Sequence, residues 1–242
     1  MSMLDTMADI MSVFFPPVCP ICRTPLADNE HFVCTACRFQ APLTGFSGSA
    51  YNPMVRHLEG LIPVHRATAF MWFIEGSPWQ RLIHSFKYRG FWITAYEFGE
   101  WFGYELADSG LYSDVDLVIP VPLHWFKRLR RGYNQSEYIA HGIANRLGAV
   151  LDDRSVLRRV NNRSQARSGS AQDRWENAEG IFAVRNPEAL AGKHILLVDD
   201  VFTTGATMIS CATSIIRSLG ADNVKVSIAA LAVTQRGMAI DR

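Results

Sequence analysis

The stretch that decides the fold reads Ile195-Leu-Leu-Val-Asp-Asp-Val-Phe-Thr-Thr-Gly-Ala-Thr207. Its apolar run predicts a central strand, and the small hydroxyl-bearing turn after it predicts the start of a helix. Residues 203–207 would place backbone N–H groups, hydroxyls and a helix N-terminus around one point, which suits a phosphate monoester. Gly205 would let the backbone come close to that phosphate. Asp199 and Asp200 cannot both be comfortable in a dry site, so we expect them to bind sugar hydroxyls or lie near a cation.

Alternating strand and helix patterns extend outward from this stretch and predict a mostly parallel, doubly wound α/β sheet. Predicted strands cover residues 67–74, 116–121, 194–198 and 224–233, and predicted helices cover residues 79–88, 94–106, 133–147 and 206–219. In sheets of this kind the ligand binds beyond the carboxyl ends of the strands. We therefore expect the functional site in the loops after Val121 and after Val198.

Composition divides the chain into three predicted segments. Residues 1–40 hold four of the five cysteines, residues 41–65 form a linker rich in proline and glycine, and residues 66–242 carry the α/β pattern. The net charge of +1 over 242 residues argues against a protein that is basic throughout. Asp5 and Asp9 stand where an export signal would carry basic residues, and no apolar run reaches the roughly 20 residues of a membrane span. These features predict a cytoplasmic protein without a membrane span.

A basic loop follows the predicted strand 116–121. Between Pro120 and Arg185 twelve Lys and Arg face six Asp and Glu, so a local charge of +6 is concentrated near the expected site. Such a cluster favours a polyanion such as pyrophosphate, and a solvated basic loop is the alternative. The candidate pyrophosphate-loop residues are Arg128, Arg131, Gly132, Asn134 and Gln135.

Two Cys-x-x-Cys pairs occupy the N-terminal segment. Cys19 and Cys22 are separated by eleven residues from Cys34 and Cys37, a spacing that lets four thiolates converge on Zn²⁺ in a zinc ribbon. A closed four-cysteine site leaves no open coordination position, so the metal is expected to hold the fold and to do no chemistry. A redox-active dithiol is the alternative.

The stretch at 195–207 resembles the signature of the type I phosphoribosyltransferases, which bind 5-phosphoribosyl-1-pyrophosphate (PRPP). Every position of that signature matches. The resemblance implies the type I fold with a hood or lid over the site. It also implies that Asp199 and Asp200, the candidate catalytic residues, hold the ribose hydroxyls, and that PRPP binds with Mg²⁺. The residues implied to hold the 5-phosphate are Thr203, Thr204, Gly205, Ala206 and Thr207.

One branch of these proteins, the ComF family, is similar to the chain over nearly its whole length. The similarity rests on the cysteine pairs, the segments Ile83-His-Ser-Phe-Lys-Tyr-Arg-Gly90 and Arg131-Gly-Tyr-Asn-Gln135, and a long polar loop with Gln165, Arg174 and Asn177. Loops of that length and composition are often lids. The resemblance implies a link to DNA uptake in natural transformation. Members are also labelled amidophosphoribosyltransferases, but here Ser2 follows the initiator Met, where a glutaminase would carry its cysteine nucleophile.

Two functions remain open at this stage. The first is a transferase that displaces pyrophosphate from PRPP with a nitrogen nucleophile. The second is a PRPP- or nucleotide-sensing adaptor for a DNA-handling partner, which could be a protein of the uptake machinery or single-stranded DNA. An acceptor-base pocket would discriminate them, and none is identifiable. Trp125, Phe126, Tyr133 and Phe202 are candidates for stacking on a base, although buried packing is the commoner use of most of them.

Overall fold

The computed structural model describes residues 17–88, 90–159 and 180–238. Seven strands lie in this part of the chain: β1 Ala67–Trp72, β2 Leu117–Pro120, β3 Val150–Leu151, β4 Val156–Arg158, β5 Phe182–Val184, β6 His194–Phe202 and β7 Lys225–Val233. Its α-helices are α1 Thr35–Phe39, α2 Pro53–Leu58, α3 Pro78–Ser85, α4 Trp92–Asp108, α5 Trp125–Arg131, α6 Gln135–Leu147, α7 Pro187–Leu190 and α8 Ala206–Leu219.

Five strands form one parallel sheet in the order β1-β7-β6-β2-β3. The two central strands alternate their apolar side chains between its faces, as a strand period of two requires. Leu196 and Val198 pack with α3, α4 and α6 on one face, while Ile195 and Leu197 pack with α2 and α8 on the other. Both faces are therefore covered, which confirms the mostly parallel, doubly wound α/β fold.

The helices α4 and α6 cross in close contact through glycines. A Cβ atom on Gly99 would lie 2.3 Å from the carbonyl oxygen of Ile139, and one on Gly142 would lie 2.4 Å from that of Tyr96. No side chain fits between the two backbones at this point. The crossing fixes the position of α6, whose N-terminus lies at the carboxyl edge of the sheet.

Several predicted boundaries change in the structure. The strand predicted over residues 194–198 continues to Phe202, because β7 pairs with it in register as far as Val233. The basic loop contains a helix, α5, which His124 begins by accepting a hydrogen bond from the Phe126 N–H. The next helix starts at Gln135, two residues later than predicted, after an Asn134 cap.

The segment predicted as a linker packs against the sheet. Asn52 caps α2 and donates a side-chain hydrogen bond of 2.8 Å to the carbonyl of Ala67 at the start of β1. Met54 and Leu58 of α2 are fully buried in the apolar cluster on that face. The domain boundaries at residues 40 and 65 stay a prediction. Within the described residues, no helix has both the length and the apolar character needed to cross a membrane.

Candidate functional site

Two adjacent carboxylates at the end of β6 are held by the first two residues of α6. Gln135 donates from Nε2 to Oδ2 of Asp200 at 2.9 Å, and Ser136 donates from Oγ to Oδ1 of Asp199 at 2.8 Å. The N–H groups of Asp200 and Val201 donate to Oδ1 of Asp199 and Oδ1 of Asp200. Both side chains are thus fixed in orientation before any ligand arrives, which lowers the ordering cost of binding.

The two carboxylates have an unfavourable electrostatic environment. Burial and the neighbouring charge of Asp200 raise the pKa of Asp199 to about 7. The hydrogen bond from Ser136 and the positive charge of Arg158 lower this pKa and offset only part of the increase. A carboxyl group whose pKa is raised by burial and by an adjacent carboxylate is common at functional sites. A cation or a set of ligand hydroxyls at this edge would stabilise the doubly charged form.

This strain has a consequence for stability. Because the folded protein holds the Asp199 proton more tightly than the unfolded chain, stability is lost as pH rises from about 4 to about 7. We expect Asp199→Asn to stabilise the ligand-free protein by about 2 kcal/mol at pH 8 and by little at pH 4. Thermal unfolding at both pH values measures this difference. The control is Asp153→Asn, because Asp153 is exposed. An equal effect of Asp199→Asn on stability at the two pH values would contradict the raised pKa of Asp199.

The turn after β6 leaves a helix N-terminus open. Thr203, Thr204 and Ala206 are exposed, and the Thr204 hydroxyl accepts a long hydrogen bond of 3.5 Å from the Ala206 N–H at the start of α8. Gly205 has a φ of +74°, and a Cβ there would lie 2.3 Å from the ring of Phe202. Only glycine therefore allows this turn, which presents N–H groups and hydroxyls together, as a phosphate site requires.

Helix α5 carries the basic residues of the candidate pyrophosphate loop. Arg131 donates from Nη1 to Oε1 of Gln135 at 3.2 Å, so a chain of hydrogen bonds runs from Arg131 through Gln135 to Asp200. Arg128 forms an ion pair of 2.9 Å with Glu137. The structure thus links Arg131 to Asp200 through Gln135, while Arg128 pairs with Glu137.

Three further residues of the same loop hold its backbone in place. Asn134 is buried, caps α6 and donates a hydrogen bond of 3.1 Å to the carbonyl of Val121 at the end of β2. The single hydroxyl hydrogen of Tyr133 is shared between the carbonyls of Phe86 and, at 2.6 Å, Tyr88. Gly132 has a φ of +87° and ends α5. These contacts tie together the two loops that precede α4 and α6.

Two residues of the site, Ser136 and Arg158, were not predicted from the sequence. Ser136 could have been found because it follows a polar helix cap aimed at the same edge as the acidic pair. Arg158 on β4, whose charge acts on Asp199, follows no local pattern, because β4 pairs antiparallel with β5 in a separate two-stranded sheet. The predicted lid residues Gln165, Arg174 and Asn177 lie outside the described residues.

The four N-terminal cysteines converge on one point. Their sulfur atoms lie within 4.8 Å of one another, and Sγ of Cys22 is 3.6 Å from Sγ of Cys34. Cys19, Cys34 and Cys37 are buried and Cys22 is exposed. Hydrogen bonds with Thr24 lower the pKa of the Cys22 thiol to about 6, and burial raises that of Cys37. A soft tetrahedral cation would relieve this crowding of thiols.

The cysteine cluster is attached firmly to α4. Phe32 packs edge-on against Phe98 with ring centroids 5.2 Å apart, and the guanidinium of Arg38 lies 4.7 Å from the ring centre of Trp101. Cys19, Cys34 and Cys37 belong to the same apolar cluster as these α4 residues. The cluster therefore stabilises the outer side of α4, away from the carboxylate pair.

Comparison with known proteins agrees with this architecture. A family model described as phosphoribosyl transferase domain matches residues 134–239, which include Gln135, the carboxylate pair and the phosphate turn. Competence protein F of Haemophilus influenzae is 27% identical over 226 residues, covering 89% of this chain and 97% of that protein. The domain match and this similarity over most of the chain support a protein of the ComF family.

Other relatives are similar over much of the chain. The DNA utilization protein YhgH of Escherichia coli K12 is 27% identical over 222 residues, covering 87% of this chain and 95% of that protein. The competence protein ComFC of Bacillus subtilis is 26% identical over 194 residues, covering 79% and 68% of the two chains. These alignments extend well beyond the residues that the domain model matches.

Proposed function

We propose that this ComF protein binds PRPP at the carboxyl edge of β6 and transfers its phosphoribosyl group to a nitrogen acceptor with release of pyrophosphate. The chain of hydrogen bonds from Arg131 through Gln135 to Asp200 carries the proposal, because it joins a cationic group to a preoriented carboxylate next to an open helix N-terminus. Ribose, phosphate and pyrophosphate each have a chemically matched group within this edge. A site for sugar alone would not need the cationic side.

Each part of the site has a separate task in this reaction. The turn from Thr203 to Thr207 would hold the 5-phosphate, and Asp199 and Asp200 would accept hydrogen bonds from the ribose hydroxyls. The acceptor nitrogen forms a bond to C1 of ribose while the bond from C1 to the pyrophosphate oxygen breaks. Arg131 would stabilise the negative charge that develops on the leaving group. Mg²⁺ would be held with PRPP beside the carboxylate pair and would supply further charge neutralisation.

Arg131→Ala tests whether the pyrophosphate group of PRPP contacts Arg131. A charge-assisted contact to phosphate contributes about 2 kcal/mol, so the variant should bind PRPP roughly thirtyfold more weakly. Ribose 5-phosphate has no pyrophosphate group, and its affinity should change far less. Calorimetric titration with both ligands measures the difference. An equal loss for the two ligands would show that this arginine serves the fold, through Gln135, and does not contact pyrophosphate.

We further propose that the four cysteines bind one Zn²⁺ per chain, in the reducing cytoplasm. The convergence of the sulfur atoms within 4.8 Å and the burial of three of them favour a closed structural site over an exposed redox dithiol.

The zinc proposal predicts a local loss of structure. Elemental analysis should find one zinc per chain, and Cys37→Ser should lose the metal, since three sulfur ligands hold Zn²⁺ less well. Residues 18–39 should then exchange their amide hydrogens rapidly. His31→Ala is the matched control, because His31 is exposed between the pairs and should leave the metal in place. Full metal loss with unchanged amide protection before Gln40 would contradict the proposal.

The relatives' names connect this chemistry to DNA. Competence protein F and DNA utilization protein YhgH support a role for this chain in the uptake or use of DNA, with a protein or single-stranded DNA as partner. A PRPP- or nucleotide-sensing adaptor without catalysis is the second candidate, and the internal hydrogen bonds of the carboxylate pair are compatible with it.

Pyrophosphate release separates the two candidates. Incubation of the zinc-loaded protein with Mg²⁺ and PRPP, across a panel of bases and amines, should give acceptor-dependent pyrophosphate if the protein is a transferase. Asp199→Asn should abolish that release. Saturable PRPP binding without release from any acceptor would instead support the sensing adaptor.

A further inference from the structure

Two histidines and an aspartate meet at the amino edge of the sheet, opposite the candidate site. His194 is the first residue of β6, His65 lies two residues before β1, and Asp114 lies in the turn before β2. One ligand atom from each side chain lies within 4.8 Å of the other two. We call these three residues the histidine–aspartate cluster. It shares no residue with the candidate PRPP site or with the four cysteines.

His194 directs a buried, unpaired nitrogen into this cluster. The residue is only 3% exposed, and its Nε2 lies 2.8 Å from Oγ of the fully buried Ser227. Within the described residues, its Nδ1 has no hydrogen bond of acceptable geometry, although Oδ1 of Asp114 is 3.1 Å away. A buried polar atom without a partner costs free energy. A cation in contact with Nδ1 would remove that cost.

The distances fit two ligands of one metal ion. Zn²⁺ binds histidine nitrogen and carboxylate oxygen at about 2.0–2.2 Å, so neighbouring ligand atoms are about 3 to 3.5 Å apart. The 3.1 Å between Nδ1 of His194 and Oδ1 of Asp114 lies in this range. The ring of His65 stands edge-on to that of His194, with centroids 5.0 Å apart. Ser227 holds the second nitrogen of His194, as outer-shell partners of metal-bound histidines do.

Backbone hydrogen bonds fix the cluster before any ion binds. The N–H of His65 donates to the carbonyl of Val226 on β7 at 2.7 Å. The N–H of His194 donates to Oδ2 of Asp116 at 2.8 Å, and the N–H of Asp116 donates to the carbonyl of His194 at 2.9 Å. The starts of β1, β2 and β6 are thus held together within one sheet, which lowers the ordering cost of a shared ligand.

A cationic side chain already bridges two of the three residues. Nη1 of Arg66 lies 2.7 Å from Nε2 of His65 and 3.4 Å from Oδ1 of Asp114. Nζ of Lys225 lies 3.8 Å from Oδ2 of the same aspartate. The cluster therefore attracts positive charge, but both cations compete with a metal ion for the carboxylate. Arg66 must turn away when an ion binds, so we expect a lower affinity than that of a four-thiolate site.

We infer that the histidine–aspartate cluster binds one divalent transition-metal ion of the Zn²⁺ type, which replaces the contacts of Arg66. Two imidazoles and one carboxylate favour such an ion over Mg²⁺ or Ca²⁺, which prefer oxygen ligands. Three protein ligands leave a coordination position for water. The ion would join the starts of three strands and stabilise the amino edge of the sheet. This inference does not depend on the proposed PRPP chemistry.

Calorimetric titration of the full-length protein with Zn²⁺ tests the inference. The zinc-loaded protein is first dialysed, so that the four cysteines keep their ion while the histidine–aspartate cluster, which has no thiolate, loses its own. One further Zn²⁺ per chain should then bind. His65→Ala should weaken this binding about 100-fold or more, since even outer-shell changes cost about 10- to 100-fold. Arg66→Gln removes the competing cation and should strengthen it about tenfold, a gain that a merely structural cluster would not give.

His141→Ala is the matched control, because His141 is exposed on α6 outside the cluster. Thermal unfolding gives a second readout: excess Zn²⁺ should raise the midpoint of the zinc-loaded wild type and not that of His65→Ala, whose exposed side chain is not needed for folding. Binding that His65→Ala and Asp114→Asn leave unchanged would be adventitious and would overturn the site. Absence of any Zn²⁺ beyond that of the cysteines would overturn it too. Unchanged affinity in Arg66→Gln would overturn the competition with Arg66.

Discussion

Asp200→Asn and Thr204→Val should each weaken PRPP binding about 100-fold or more and leave the fold unchanged. Asp200 faces the proposed ribose, and the exposed Thr204 lies in the turn proposed for the 5-phosphate. Each change removes charge-assisted hydrogen bonds from a preformed site. Calorimetric titration with Mg²⁺ and PRPP measures the loss, and circular dichroism checks the fold.

The Asp200→Asn variant should do more than remove a charge. Its new Nδ2 group would face a hydrogen-bond donor in either orientation: the N–H of Val201, or Nε2 of Gln135, in which case the Gln135 amide turns and presents its NH₂ group to Arg131. Arg131 then loses its acceptor, and the cationic side of the site loses its position. Asp222→Asn, exposed beyond the C-terminus of α8, is the matched control. Wild-type PRPP affinity in both Asp200→Asn and Thr204→Val would show that the signature only builds the fold.

Gly142→Ala should have the largest effect on stability. The new Cβ would lie 2.4 Å from the carbonyl oxygen of Tyr96 and 2.5 Å from the backbone nitrogen of Glu100. Neither backbone atom can move alone, so α4 and α6 must separate and open the apolar cluster between them. Overpacking of this kind costs about 3 kcal/mol, which corresponds to a fall of roughly 10 °C in the midpoint of thermal unfolding.

The glycine crossing also affects the site. A displaced α6 would carry Gln135 and Ser136 away from the carboxylate pair, so we expect PRPP affinity to fall as well. Gly48→Ala is the matched control, because Gly48 has no atom within 4 Å of a Cβ and no positive φ. A thermal midpoint equal to the control's would mean that the two helices do not approach as closely as described.

The fold could be predicted from the chain because its decisive signals are local. The apolar run at 195–198 and the Thr-Thr-Gly turn after it specify a strand, a tight bend and a helix start by their own chemistry. The end of β6 could not be predicted, because pairing with β7 as far as Val233 decides it. Helix α5 was missed for a different reason. It is only seven residues long, which is shorter than the window over which an apolar period can be recognised.

In the candidate site too, residues with a local sequence signal could be predicted, and contacts between distant segments could not. Asp199, Asp200 and Arg131 could be named because their chemistry is visible in adjacent letters. Their connection through Gln135 depends on α6 reaching β6 across 65 positions of sequence, which the glycine crossing makes possible. Separation in sequence also concealed the contact of Ser136, 63 positions from Asp199, and the effect of Arg158 on that residue. The site forms only when helix packing brings α6 against the end of β6, and the sequence does not show that packing.

The most direct test of the central claim is calorimetric titration of the wild-type protein with PRPP in the presence of Mg²⁺. We predict saturable binding of one PRPP per chain that weakens markedly when Mg²⁺ is withheld, with weaker binding of ribose 5-phosphate at the same site. Heat changes no larger than those of dilution, or binding that Asp199→Asn and Asp200→Asn leave intact, would contradict the claim that the end of β6 is a PRPP site.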